Sequence, residues 1–165
     1  MDLARIFRHL LFPPWLVRRG FSRAVLDRIE AAVGNAERTH SGEIRFAIEA
    51  SLHWPALVRG QSARERALEL FSLLRVWDTA ENTGVLVYIL MADHSVEIVA
   101  DRGIHAKVGQ AAWEAICGEM QQAFRQRSFE SGALQGLGAI AALLTRYFPA
   151  TSANPNELPN RPVML

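Results

Sequence analysis

Residues 81–101, ENTGVLVYILMADHSVEIVAD, decide the fold. From Gly84 to Met91 nearly every residue is apolar, and Val85, Leu86, Val87, Tyr88, Ile89 and Leu90 follow one another without a charged break. A strand covered on both faces reads this way, because neither set of its alternating side chains meets water. Ala92-Asp93-His94-Ser95 supplies the turn, and Val96–Ala100 the return strand. The stretch predicts a β-hairpin inside a sheet that carries helices on both sides.

Upstream, residues 43–50 alternate. Ile44, Phe46, Ile48 and Ala50 point one way and Glu43, Arg45, Ala47 and Glu49 the other, the period of a half-buried strand. Between the two strands lies a helix capped by Ser62, from Ala63 to about residue 76, with Ala67, Leu70, Phe71 and Leu74 as its stripe. Strand, helix, strand is a βαβ unit, so strands 43–50 and 84–91 are expected to be parallel with a right-handed crossover. The return strand, 96–101, adds an antiparallel neighbour. Further amphipathic helices are expected at 23–38, capped by Ser22, at 110–125 and at 131–147. Gly132, Gly136 and Gly138 in the last of these permit close packing against another helix. Residues 52–61 read as a loop and 101–104 as a turn. The class is α/β: a three-layer α/β/α sandwich with a small mixed sheet, a βαβ unit plus a β-hairpin, covered by helices on both faces.

The 165 residues are 50% hydrophobic, enough for one sizeable core, and their net charge of +1 argues against nucleic acid as a partner. Residues 1–20 read as an amphipathic N-terminal arm, residues 21–149 as the α/β domain, and residues 150–165 as a disordered tail with prolines at 155, 159 and 162. In the arm, Leu3, Ile6, Phe7, Leu10 and Leu11 share one side of a short helix that Pro13-Pro14 stops. Basic and aromatic residues are mixed there, which suits a membrane surface or a partner. The simpler expectation is that the helix packs back onto the domain. Pro13-Pro14 and Arg18-Arg19 break the pattern of a cleaved leader, so the expected location is the cytoplasm, with peripheral membrane contact through the arm.

The segment Glu81-Asn82-Thr83-Gly84-Val85-Leu86-Val87 resembles the acid/Asn–Gly–Val–Leu start of a buried strand in TPM domains, a family of thylakoid-lumen and bacterial envelope proteins. Val96-Glu97-Ile98-Val99-Ala100-Asp101-Arg102-Gly103-Ile104 is similar to that family's strand and following Gly turn. Phe124-Arg125, with Phe129 and Gly132, is similar to its Phe, short spacer and Gly-rich helix. The resemblance spans roughly residues 22–148 and implies a mixed sheet between helices. It also implies a choice of functions, since some members have been proposed as divalent-cation binders or acid phosphatases and others act in the repair or assembly of membrane complexes. From the sequence, neither the leader nor the following membrane helix common in the family is expected. It has Arg102, Gly103 and His105 where many members have a Gly-rich segment ending in an acid.

Asp78, Glu81, Asn82 and Asp101 are the candidate metal ligands. Glu81-Asn82 precedes one hairpin strand and Asp101 ends its neighbour, so these groups are expected at one end of the hairpin, with oxygen donors suited to Ca²⁺ or Mg²⁺. Arg102 beside them is a candidate anion-binding residue. Asp93 sits at the other end. The competing expectation is that all of these are solvated turn residues. The histidines lack the convergent spacing of a zinc site. Cys117 falls in a helix stripe and reads as core, and Trp54 and Trp77 read as closing the core edge. No P-loop, dinucleotide fingerprint or nucleophile elbow occurs. The leading functional expectation is a non-enzymatic accessory domain that binds an unidentified protein partner. The alternative is a divalent-cation-dependent phosphatase-like hydrolase acting on a phosphomonoester.

Overall fold

The computed structural model describes residues 2–150 and 156–165. Its centre is the strand predicted to be buried on both faces. Strand β1 (Glu43–Glu49) lies parallel to β2 (Gly84–Leu90), with Phe46 opposite Val87. Strand β3 (Ser95–Ala100) returns antiparallel to β2, with Val87 opposite Ile98. The sheet order is β3-β2-β1-β4, where β4 is Val163–Met164. Every residue of β2 is buried.

The period of two sorts the strand residues onto two cores. Ile44, Phe46, Ile48, Val85, Val87, Ile89, Val96 and Ile98 face one core, with α3 (Arg23–Ala36), α6 (Arg102–Val108), α7 (Gln110–Arg125) and α8 (Phe129–Tyr147). Ala47, Leu86, Tyr88, Leu90 and Val99 face the other, with α1 (Leu3–Leu10), α4 (Trp54–Val58) and α5 (Ala63–Leu73). The result is the three-layer sandwich. Ser62 and Glu65 form a capping box on α5, each side chain accepting the other's backbone N–H. Gly132 and Gly136 let α8 approach α7, because a Cβ at either would overlap Phe124 or Met120; Gly138 faces open space.

Three expectations need correction, and one helix was not foreseen. The first helix, α1, ends at Leu10 ahead of Pro13-Pro14 as expected, but the chain then starts a second helix, α2 (Pro14–Gly20). Pro14 sits in the first turn, where the N–H it lacks would have no partner anyway. The loop at 52–61 contains the single turn α4, again with a proline, Pro55, near its start. The turn at 101–104 is the beginning of α6. The largest correction is the C-terminal tail. Residues 151–155 lie outside the described residues, but 156–165 are ordered on the domain. Leu158 is buried and donates its N–H to Glu43 Oε2 at 3.0 Å. Val163 and Met164 pair in parallel with Ala47 and Ile48, and Leu165 donates its N–H to the Ile48 carbonyl at 2.9 Å. Arg45 donates to the Arg161 carbonyl at 2.7 Å. The outer edge of β1 would otherwise present unpaired backbone groups, and the tail covers them. A two-residue strand has no period to read.

Candidate functional site

The hairpin's first end is built around Gly84 and Asp101. Asp101 donates its N–H to the Gly84 carbonyl at 2.9 Å, and its Oδ2 accepts the Gly84 N–H at 2.8 Å. Gly84 has to be glycine, since a Cβ there would run into the Val76 carbonyl. Asp101 also occupies the residue before α6. Burial pushes its carboxyl above the usual range, and the Gly84 N–H partly offsets this. Thr83 closes the same corner: its hydroxyl donates to the Ser41 carbonyl at 2.8 Å, and its N–H reaches Thr79 Oγ1 at 2.9 Å.

Asp78, Glu81 and Asn82 are exposed in the loop between α5 and β2. Asn82 takes a left-handed backbone with φ of 53° and donates its N–H to the Thr79 carbonyl at 3.1 Å, the conduct of a turn residue. Arg102 is exposed in the first turn of α6. Glu157, from the C-terminal segment, accepts the Ala80 N–H at 2.8 Å and so adds a carboxylate to this loop that the sequence reading did not place there. Among the described residues, no group of three or more carboxylates, imidazoles or thiols is arranged to hold a metal ion.

The opposite end of the hairpin carries the denser chemistry. Asp93, read from sequence as a turn residue, is the anchor for the N-terminal helix. Arg5 donates to its Oδ2 from Nε at 2.9 Å and from Nη2 at 2.7 Å. Arg8 donates to Oδ1, and His9 Nε2 lies 2.9 Å from the same atom. The Leu52 N–H donates to His9 Nδ1 at 3.0 Å, which places the ring proton on Nε2, facing Asp93. The His9 side chain is fully buried. Burial alone would raise the Asp93 carboxyl, but hydrogen bonds from Arg5, His9 and Arg8 outweigh it and hold the group at about 2.

This clamp fixes which way α1 faces. Its charged side turns inward, and among its apolar residues only Ile6 is buried. Leu3, Phe7, Leu10 and Leu11, with Trp15 of α2, point outward, each more than half exposed. The apolar stripe expected on one side is thus split, and most of it meets solvent. Arg5, Arg8 and His9 share one helix face by their spacing. Their common partner, more than eighty residues away, left no local signal.

The remaining candidates are structural. Cys117 packs against the first core, and burial pushes its thiol up to about 11, so little of it is thiolate at neutral pH. Tyr88 donates to Glu49 Oε2 at 2.7 Å, and Arg66 reaches both oxygens of the same carboxylate at 2.9 and 3.0 Å. That triad is satisfied within the second core. Trp54 and Trp77, expected to close the core edge, are about half exposed.

The sequence matches the family model of the TPM domain over residues 19–143. No curated protein matches. Among solved structures, the chain is similar to the BA42 protein from the psychrophilic bacterium Bizionia argentinensis, determined by NMR. The TM-score is 0.76 and the identity 28%, over 87% of this chain and 94% of that one. The clamp helix α1 and most of α2 precede the matched region.

Proposed function

The chain belongs to the TPM domain family, and from that premise we propose that it is a non-enzymatic accessory domain that attaches peripherally to a membrane surface through α1 and α2 and meets its protein partner there. The observation that carries the reading is the inverted helix α1. A surface helix ordinarily buries its apolar stripe and exposes its charges. Here the charges are spent on Asp93 and the apolar face is presented to the outside. Leu3, Phe7, Leu10, Leu11 and Trp15 are exposed along two consecutive short helices, and exposed Arg18, Arg19 and Arg23 follow them in the chain. An apolar face beside basic residues suits the interface of an anionic bilayer, into which such a helix lies flat. No helix among the described residues is long and apolar enough to cross a membrane, so the attachment in this reading is peripheral.

Flotation with phosphatidylcholine–phosphatidylglycerol vesicles tests the reading. The wild-type chain should float, and Phe7→Ser with Leu11→Ser should not, although both residues are exposed and the fold should keep its melting temperature. If both proteins stay at the bottom of the gradient, the reading is wrong. A partner-protein pull-down with and without residues 1–20 tests the second half.

A cation-dependent phosphatase-like hydrolase has narrower support. It rests on Asp101, whose raised carboxyl lies at the strand end beside the Glu81–Asn82 loop. Asp78 would join it with Ca²⁺ or Mg²⁺ as cofactor, and Arg102 would take the phosphate. A phosphomonoesterase screen with Mg²⁺, Ca²⁺ or Mn²⁺ separates the readings: activity that Asp101→Asn abolishes would favour the enzyme.

A further inference from the structure

Between α2, the hairpin tip and the α7–α8 junction lies an open cleft of about 480 Å³. Its walls come from three separate parts of the chain. Phe12 and Leu16 supply one side, Met91 the hairpin side, and Phe124 and Phe129 the floor. Phe124 and Phe129 stack with centroids 5.5 Å apart, and Phe21 meets Phe124 edge-on at 5.9 Å, so the floor is rigid and aromatic. Around the rim stand Arg19, Arg125, Arg127 and His94. No carboxylate lines the cleft. Glu130, in the adjoining depression that shares Arg19 and Arg127, is engaged by Arg28. Arg19, Arg125 and Arg127 have no ion-pair partner among the described residues.

We propose that this cleft, formed by Phe12, Leu16, Arg19, Arg127 and Phe129, binds the phosphate of an anionic amphiphile, with the arginines on the phosphate and the apolar walls on the first part of its chain. The inference rests on the membrane reading above and names the lipid chemistry it would select. Arginine without a carboxylate partner at the edge of an aromatic floor suits a ligand that is anionic at one end and apolar at the other. The source of that ligand follows from the sequence order of the wall. Phe12 and Leu16 line the cleft, while Leu11 and Trp15, next to them in the chain, belong to the exposed apolar face. The cleft therefore opens at the border of the surface that meets the bilayer, where lipid phosphates lie. It is at the far end of the hairpin from Asp101, and part of its wall precedes the matched family region.

The test titrates the full chain, followed by NMR, with dihexanoyl-phosphatidylglycerol below its micelle concentration and, separately, with dihexanoyl-phosphatidylcholine and inorganic phosphate. The expected result is that the anionic lipid binds most tightly and shifts the amides of Phe12, Met91, His94 and Arg127. Arg19→Ala and Arg127→Gly should each weaken it roughly fivefold. The glycine keeps the left-handed backbone of Arg127, φ 60°, so the fold is not at risk. Arg146→Ala, an exposed arginine near the C-terminal end of α8 and outside both the cleft and the α1–α2 surface, should leave the affinity unchanged. An equal loss in Arg146→Ala would reduce the effect to general surface charge and overturn the site. Inorganic phosphate binding as tightly as the lipid would overturn the lipid assignment, and shifts confined to other residues would overturn both. Leu11→Ser separates this proposal from the reading beneath it: it should abolish flotation while leaving the soluble-lipid titration intact. If wild-type vesicle binding is absent and the titration still maps to the cleft, only the membrane attachment falls.

Discussion

Asp93→Ala removes the acceptor that three donors of α1 share, and its cost can be worked from the clamp. The His9 Nε2–H would be left buried without a partner, costing about 1–3 kcal/mol. Arg5, whose side chain is 17% exposed beside an Asp93 side chain 9% exposed, would lose both hydrogen bonds to a carboxylate. Removing one partner of a pair this well covered costs on the order of 3–5 kcal/mol in total. What remains to hold α1 is Ile6, the one apolar side chain it buries, worth about 1.5–3 kcal/mol. Ordering the backbone costs roughly 1–2 kcal/mol per residue, and a free helix of this length is marginal in water. The helix should therefore leave the domain before the core melts. A global loss of ~3 kcal/mol would lower Tm by about 6–12 °C in a chain of this size. Because α1 departs first, a smaller fall is expected, with full loss of exchange protection confined to residues 3–10. Hydrogen exchange read by mass spectrometry resolves the segment. Wild-type protection in α1, with an unchanged Tm, would refute the clamp.

Three further outcomes follow from the same contacts. Deleting residues 156–165 should lower Tm by more than about 5 °C, because the apolar contact of the buried Leu158 is lost and the edge of β1 loses its pairing; a Tm equal to wild type would return the segment to a free tail. Gly84→Ala should destabilise by about 1–3 kcal/mol or more, since the new methyl meets the Val76 carbonyl and neither backbone can yield without breaking the Asp101 bonds; urea denaturation checks it. Two carboxyls should act on pH stability with opposite signs. Burial raises Glu37 from 4.5 to about 7 despite the Ile44 N–H it accepts, so the folded state holds a proton that the unfolded chain releases, and stability falls as pH rises from 4.5 through 7. Asp93 is lowered from 3.8 to about 2, so its contribution is present above pH 3.8 and is lost as pH falls through 2. Glu37→Gln should flatten the neutral-side decline in a Tm–pH series and leave the acid limb unchanged.

The sheet was legible because its signals are local. The unbroken apolar run of β2 and the alternation of β1 need no partner to be read, and α7 matched its predicted limits at Gln110 and Arg125. What escaped the sequence depended on distant contacts or on very short elements. The strand β4 has two residues, and the C-terminal segment is held by Glu43, Ile48 and Arg45, more than a hundred residues away. Pro13-Pro14 was read correctly as the stop after α1, but proline also suits the first turn of a helix, and the α2 that Pro14 opens was missed. At the candidate site, the neighbouring of Gly84 and Asp101 followed from hairpin geometry. The positions of Asp78, Glu81 and Asn82 relative to Asp101 did not, because they lie in a loop whose path no periodicity describes. Asp93 was placed correctly at the far end of the hairpin, but its three partners on α1 were out of reach of any spacing rule.

The proposed membrane attachment of α1 and α2 is tested most directly by the depth of Trp15. Of the four tryptophans, Trp113 is buried, and Trp54 and Trp77 can be replaced by phenylalanine at exposed positions. In that variant, vesicles of phosphatidylcholine and phosphatidylglycerol with brominated acyl chains should quench Trp15 and shift its emission to the blue. Emission that stays unquenched and unshifted as lipid is added would contradict the account.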